Sequence, residues 1–154
     1  MTLWYLAMHV AYFAVPDDVL RERVYLVLTR AAAALVNLVQ PLEAARAEAN
    51  LVVSGRAVLE VVRGCDGSGA LFMLTAALLA APLAMRVKGA GLATGLALVL
   101  LLNQARITGL YFVAAYHPTW FLLLHAYVVP SLLVLAVLLH FLCCCRCDGA
   151  ARGR

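Results

Sequence analysis

Residues 89–116 read GAGLATGLALVLLLNQARITGLYFVAAY. The stretch is apolar or small except for Asn103, Gln104, Arg106 and two threonines, and it exceeds the roughly 20 residues that a membrane-spanning helix needs. Two flanking segments have the same character, one from Ser68 to Met85 and one from Pro118 to Leu142. Pro82 falls in the last turn of the first, and Pro130 should kink the other near its middle. The whole 154-residue chain agrees with these segments. It is 66% hydrophobic and 13% charged, with a mean hydropathy of +0.95, whereas soluble domains are about half apolar and about a quarter charged. A chain this short cannot bury so much apolar surface in one aqueous core, so lipid must solvate most of it.

Upstream the pattern weakens. A helix from about Thr2 to Val15 is short for a span, and a half-polar helix follows from about Asp17 to Gln40, with Arg30 inside it. The N-terminus has no basic region and no small-residue cleavage site, so Trp4 to Val15 reads as a retained helix. Between Glu43 and Gly67 the chain is least membrane-like. Leu51-Val52-Val53 and Val58 to Val62 flank Ser54-Gly55 and read as two short strands around a turn. The expected fold is an all-α polytopic membrane protein. Four or five transmembrane helices form a bundle with a short extracytoplasmic β-hairpin. One domain accounts for it: N-terminal helices over 1–40, hairpin and cysteine loop over 43–67, three core helices over 68–142, and a cytoplasmic tail over 143–154.

Basic residues in short loops set orientation. Arg86 and Lys88 lie between the two best helices, and Arg146, Arg152 and Arg154 follow the last. Both places should be cytoplasmic. The 43–67 segment and the turn at His117-Pro118 then face outside, in a multi-pass protein of the cell membrane. Membrane lipid is the expected partner. Arginine and lysine are scattered without aromatic interleaving, which excludes a nucleic-acid footprint. Oligomeric state is not encoded in any pattern here.

Three residues stand out chemically. Cys65 is the single cysteine of the body, since Cys143, Cys144, Cys145 and Cys147 crowd at the end. It immediately precedes a helix start, with Asp66 and Ser68 available as caps. The positive end of a helix favours thiolate, and Asp66 opposes it. A buried inert cysteine is the bland alternative. Arg106 lies deep in its apolar helix, where insertion costs about 2.5–3.5 kcal/mol. Asn103 precedes it by three residues on the same face. A structural clamp between helices competes with a functional role. His125 interrupts Phe121-Leu122-Leu123-Leu124, and a hydrogen-bonded core histidine is its bland reading. Arg106 lies about 15 Å along its helix from the outer turn and His125 about 12 Å. Thiol, imidazole and guanidinium therefore converge in depth, a set suited to acyl transfer. The Cys144-x-x-Cys147 spacing lacks the further ligands of a metal site. Tyr111, Tyr116, Trp120 and Tyr127 suit an interfacial aromatic belt.

These residues also carry a family resemblance. Val62-Arg63-Gly64-Cys65-Asp66-Gly67 resembles the Cys-x-Gly motif of exosortases and archaeosortases, and Asn103-Gln104-Ala105-Arg106-Ile107 resembles their Asn-x-x-Arg-Ile motif. His125, in His125-Ala126-Tyr127, falls where their third motif supplies a histidine. The likeness covers about Leu51 to Leu142 and is nearest the small, exosortase H-like members. It implies a membrane-embedded cysteine transpeptidase/protease acting on secreted surface proteins with a C-terminal sorting signal, which consists of a motif, a transmembrane helix and a basic tail. Cys65 would be the nucleophile, Arg106 the oxyanion stabiliser and His125 the general acid/base. Gly67 and Asn103 would bind substrate or support the site. No metal and no organic cofactor is implied. Two other readings remain open: a non-catalytic protein that binds sorting helices, and a thiol redox protein, which needs a second outer cysteine.

Overall fold

A computed structural model describes residues 2–152; Arg154, counted above in the basic tail, lies outside them. The described residues are mostly helical, with five helices and one small antiparallel sheet among them. Helix α1 spans Thr2–Phe13 and buries none of its residues. Helix α2 occupies 17–39 as a turn (Asp17–Val19), a π-helical stretch (Leu20–Tyr25) and an α-helix (Leu26–Val39) without a break. Pro16 stands at its N-cap, and Asp17 and Asp18 complement the helix dipole in the first turn. Its buried face, with Leu28, Ala32 and Val36 four residues apart, is the stripe that helical periodicity requires.

The sheet has three strands, β1 (Arg46–Glu48), β2 (Leu51–Val53) and β3 (Val58–Glu60), in that order. The two expected strands are β2 and β3, paired with Val53 opposite Val58. The addition is β1, with Glu48 opposite Leu51. It was not legible because Arg46-Ala47-Glu48 has no β-branched or aromatic residue to mark it.

Helix α3 runs Ser68–Ala80 and ends earlier than Met85. The residue before a proline is driven to extended backbone, and Ala81, before Pro82, takes φ −70° and ψ 143°. Thirteen residues rise about 20 Å, short of a hydrocarbon core of about 30 Å. Helix α4 (Met85–Tyr116) starts before Gly89, so Arg86 and Lys88 sit in its first turn instead of a loop. Helix α5 occupies 118–152: Pro118–Leu123, a π-helical stretch Leu124–Val128, then Val129–Arg152. A widened turn thus lies just before Pro130, where the absent proline N–H and the ring disturb the preceding carbonyls. The helix passes Leu142 without ending, so 143–152 is helical. Among the described residues two helices, α4 and α5, are long and apolar enough to cross a membrane.

The chain divides into two compact units. One comprises residues 2–14, 67–101 and 131–152. In it Phe72 of α3 meets the His9 and Tyr12 rings of α1 at 5.3 and 5.7 Å. Gly95 of α4 lets α3 approach closely, because a Cβ there would stand 2.2 Å from a Leu74 methyl and force that side chain to move. Asp148 accepts the Ala84 backbone N–H at 2.9 Å, and Lys88 donates to the Leu79 carbonyl at 2.8 Å. The α3–α4 turn and the far end of α5 are thereby at one end of this unit.

The other unit comprises 15–66 and 102–130. Its core includes Leu28, Val36, Val52, Leu59, Val61, Leu110 and Tyr111. Asn37 holds both the N–H and the carbonyl of Ala45, at 2.7 and 2.9 Å, and Thr29 donates to the Ala49 carbonyl at 2.8 Å. These bonds fasten the sheet to α2. Gln104 of α4 donates to the Leu28 carbonyl of α2 at 3.2 Å.

Candidate active site

Cys65 lies at the end of a tight turn. Its N–H donates to the Val62 carbonyl at 2.9 Å, and Gly64, third in the turn, takes φ +85° while Arg63 does not share that sign. This is a type II turn, which calls for glycine at that position; another residue would be strained there by about 1–2 kcal/mol. The start and the middle of the turn are tied down. The Val61 N–H donates to the Asn50 carbonyl at 2.8 Å, and Asn50 donates to Glu60 and to the Val61 carbonyl at 3.0 and 3.2 Å. Arg63 pairs with Asp17 at 2.7 Å and donates to the Val15 carbonyl.

Arg106 and His125 come to this turn from α4 and α5. The Arg106 guanidinium, 8% exposed, donates to the Gly64 carbonyl at 3.4 Å and faces Cys65 Sγ at 3.7 Å. His125 Nε2 lies 3.8 Å from the same sulfur. Its ring stacks on Phe121, with centroids 5.3 Å apart and planes within 9°. The π-helical turn that carries His125 is a local feature that residue periodicity does not announce. Such turns are frequent at functional sites. All three expected residues thus lie in one unit, around one sulfur.

The supporting pair behaves differently. Asn103 is wholly buried, one turn from Arg106, and its amide has no hydrogen-bond partner. Arg106 Nε, His125 Nδ1 and Thr108 Oγ1 share that state. Unspent buried polar groups cost about 1–3 kcal/mol each, and they concentrate on the stretch of α4 that carries Arg106. Gly67 takes φ +82° and occupies the N-cap of α3, a conformation that favours glycine. Gly67, and neither Asp66 nor Ser68, stands at the N-cap position of that helix.

The three side chains line a cavity of about 10 Å³, walled by Leu59, Glu60 and Val61 on one side and Ile107 and Leu110 on the other. That volume is near the minimum for one water, so a peptide would have to part these walls.

A second thiol–imidazole contact exists in the other unit, where Cys144 Sγ lies 3.8 Å from His140 Nε2. The same nitrogen is 2.9 Å from the Gly91 carbonyl. A carbonyl only accepts, so Nε2 must carry the proton and cannot take one from Cys144. His125 Nε2 has no such rival. Among the described residues no group of three or more His, Cys, Asp or Glu is arranged to hold a metal ion. All five cysteines are free thiols.

No protein-family model matches the chain, and no curated protein or solved structure matches it significantly.

Proposed function

We propose that the chain is a membrane-embedded cysteine transpeptidase/protease of the exosortase/archaeosortase type. Its substrates would be secreted proteins that end in a motif, an apolar helix and a basic tail. One observation carries this reading: a thiol, an imidazole and a buried guanidinium, drawn from a turn and two helices far apart in sequence, meet within 3.8 Å of one sulfur. His125 Nε2 takes the thiol proton, and the sulfur adds to the scissile carbonyl. The resulting oxyanion is stabilised by Arg106. Collapse expels the amine, which receives the proton from imidazolium, and leaves a thioester on Cys65. An acceptor amine or hydroxyl, or water, then attacks the thioester and frees the thiol.

The thioester is the distinguishing species. Incubated with membranes that contain uncleaved sorting-signal proteins, the protein should acquire an acyl adduct at Cys65 that hydroxylamine removes. Turnover of such proteins without any labile adduct at Cys65 would sink the covalent mechanism.

For the membrane, we propose α4 and α5 as full spans, with α1, α2 and α3 as the shorter embedded segments among the four or five expected. Arg86, Lys88 and Arg146 then mark the cytoplasmic end, and the sheet and Cys65 face outside the cell membrane. Single cysteines at Ser54 and Thr119, in a background without native thiols, should react with an impermeant maleimide applied outside. A cysteine at Lys88 should not. External labelling at position 88 reverses the orientation.

A further inference from the structure

A buried carboxylate outside the candidate triad joins the two walls that hold it. Glu43, in the 3₁₀ turn Pro41–Glu43 after α2, has a side chain only 1% exposed. Tyr111 donates to its Oε2 at 2.6 Å, and Tyr116 donates to Oε1. Arg56 pairs with Oε1 at 3.2 Å and lies over the Tyr116 ring at 5.4 Å. Ser54 Oγ is 2.5 Å from Tyr111 Oη and 3.4 Å from Glu43 Oε2. Ser54 also accepts the N–H groups of Arg56 and Ala57 and so shapes the β2–β3 turn. The four donors hold the Glu43 carboxyl below the usual carboxylate range, Tyr111 contributing most. Glu43 is therefore an anion at neutral pH. Its stabilising contribution is complete above the ordinary carboxylate pKa and is lost as pH falls through the lowered one.

Tyr111 and Tyr116 lie on α4, and Tyr111 is about 7.5 Å along the helix from Arg106. Ser54 and Arg56 lie in the turn that feeds β3, whose residues Leu59 and Glu60 wall the cavity before the chain reaches Cys65. Arg106 and Cys65 are therefore on the two bodies that Glu43 joins. A surface ion pair would not do this, because water would replace it at little cost. A buried carboxylate with four donors has no such substitute, and removing it strands the phenols.

We propose that Glu43 is a positioning residue, a carboxylate clasp that fixes α4 against the sheet and thereby sets the Arg106 guanidinium at the Cys65 sulfur. This rests on the reading of Cys65, Arg106 and His125 as the reacting set, and its test needs no substrate. The full chain, reconstituted in lipid with Cys143, Cys144, Cys145 and Cys147 replaced by Ser, presents Cys65 as its one thiol. The rate of Cys65 alkylation by iodoacetamide at pH 7 is measured in this background and in Glu43→Gln, Arg106→Gln and the double variant. Each single change should slow alkylation by about two- to tenfold, the lower part of the range for coupled neighbours, and the double variant should be no slower than Arg106→Gln alone. Glu43→Asp should recover part of the loss. The clasp is rejected if a folded Glu43→Gln alkylates as fast as or faster than the parent. It is rejected equally if the two effects multiply, since Glu43 would then not act through Arg106. Should Glu43→Gln fail to fold, Tyr116→Phe, which removes one donor, should show a smaller loss that again disappears in the Arg106→Gln background. A Tyr116→Phe rate equal to the parent's rejects the proposal. Coupling between Glu43 and Arg106 without a labile acyl adduct at Cys65 would keep the clasp and reject the enzyme.

Discussion

Cys65→Ala should abolish processing of sorting-signal proteins while the chain remains folded and membrane-inserted. The side chain is half-buried in the wall of a cavity of about 10 Å³, and Ala removes one sulfur from that wall. It ends a turn whose geometry is held by Gly64, the Val62 carbonyl and the Arg63–Asp17 pair, all unaffected by the change. Cys65→Ser should be nearly as damaging, because an alkoxide is much harder to form than a thiolate at neutral pH. The decisive contrast is with α5. Replacing Cys143, Cys144, Cys145 and Cys147 together by Ser should leave processing close to that of the parent. Cys144 is the one buried member, and Ser is small enough to fit its place beside Gly91. Its neighbour His140 donates its Nε2 proton to the Gly91 carbonyl, so the nitrogen nearest Cys144 takes no proton from it. Processing that survives in Cys65→Ala and vanishes in the fourfold Ser variant would move the chemistry to α5 and end the acyl-transfer reading. Release of the processed protein is read by the loss of its helix and basic tail on a gel.

What could be read in advance was whatever the chain repeats over many residues or displays as a chemical anomaly. The apolar runs around Leu98–Leu102 and Ser131–Leu139 announce long helices without help from tertiary structure. Arg106 and His125 are conspicuous because a charge or an imidazole in such a run is costly. Single-residue punctuation was harder. Pro82 was placed inside a helix that ends two residues before it, and the π-helical stretch ahead of Pro130 was not foreseen. The β1 strand exists through its partner β2, not through its own residues, Arg46-Ala47-Glu48. Glu43 was the least visible. In sequence it is one charged residue among Arg46, Glu48, Arg56 and Glu60 in a polar outer segment, and Tyr111 and Tyr116 resemble belt residues. Their meeting depends on contacts 68 and 73 positions apart, which no local pattern encodes.

Arg106→Lys should lower the rate of processing by about 10²-fold or more, close to what the loss of one oxyanion donor costs elsewhere, although it keeps the charge. The guanidinium here does two things at once. One terminal nitrogen faces Cys65 Sγ at 3.7 Å and the other the Gly64 carbonyl at 3.4 Å. A planar fork can reach both, whereas an ammonium is a compact point charge with no fixed spread. Lysine would satisfy the carbonyl or the sulfur and leave a developing oxyanion without its second contact. His125→Ala should cost about 10²- to 10⁴-fold, the usual worth of a general acid/base, or roughly 3–5 kcal/mol of barrier. The two variants should differ in kind. With His125 absent the chemistry still has its oxyanion donor but lacks a proton carrier, so adding imidazole should restore part of the rate, most where free imidazole is neutral. Arg106→Lys has no proton to recover and should not respond. Single-turnover cleavage, followed with and without imidazole across pH 6–8, separates them. Equal rescue of both variants would mean that neither group acts at the step assigned to it, and rescue of neither, with both proteins folded, would make His125 a packing partner of Phe121 instead of an acid/base.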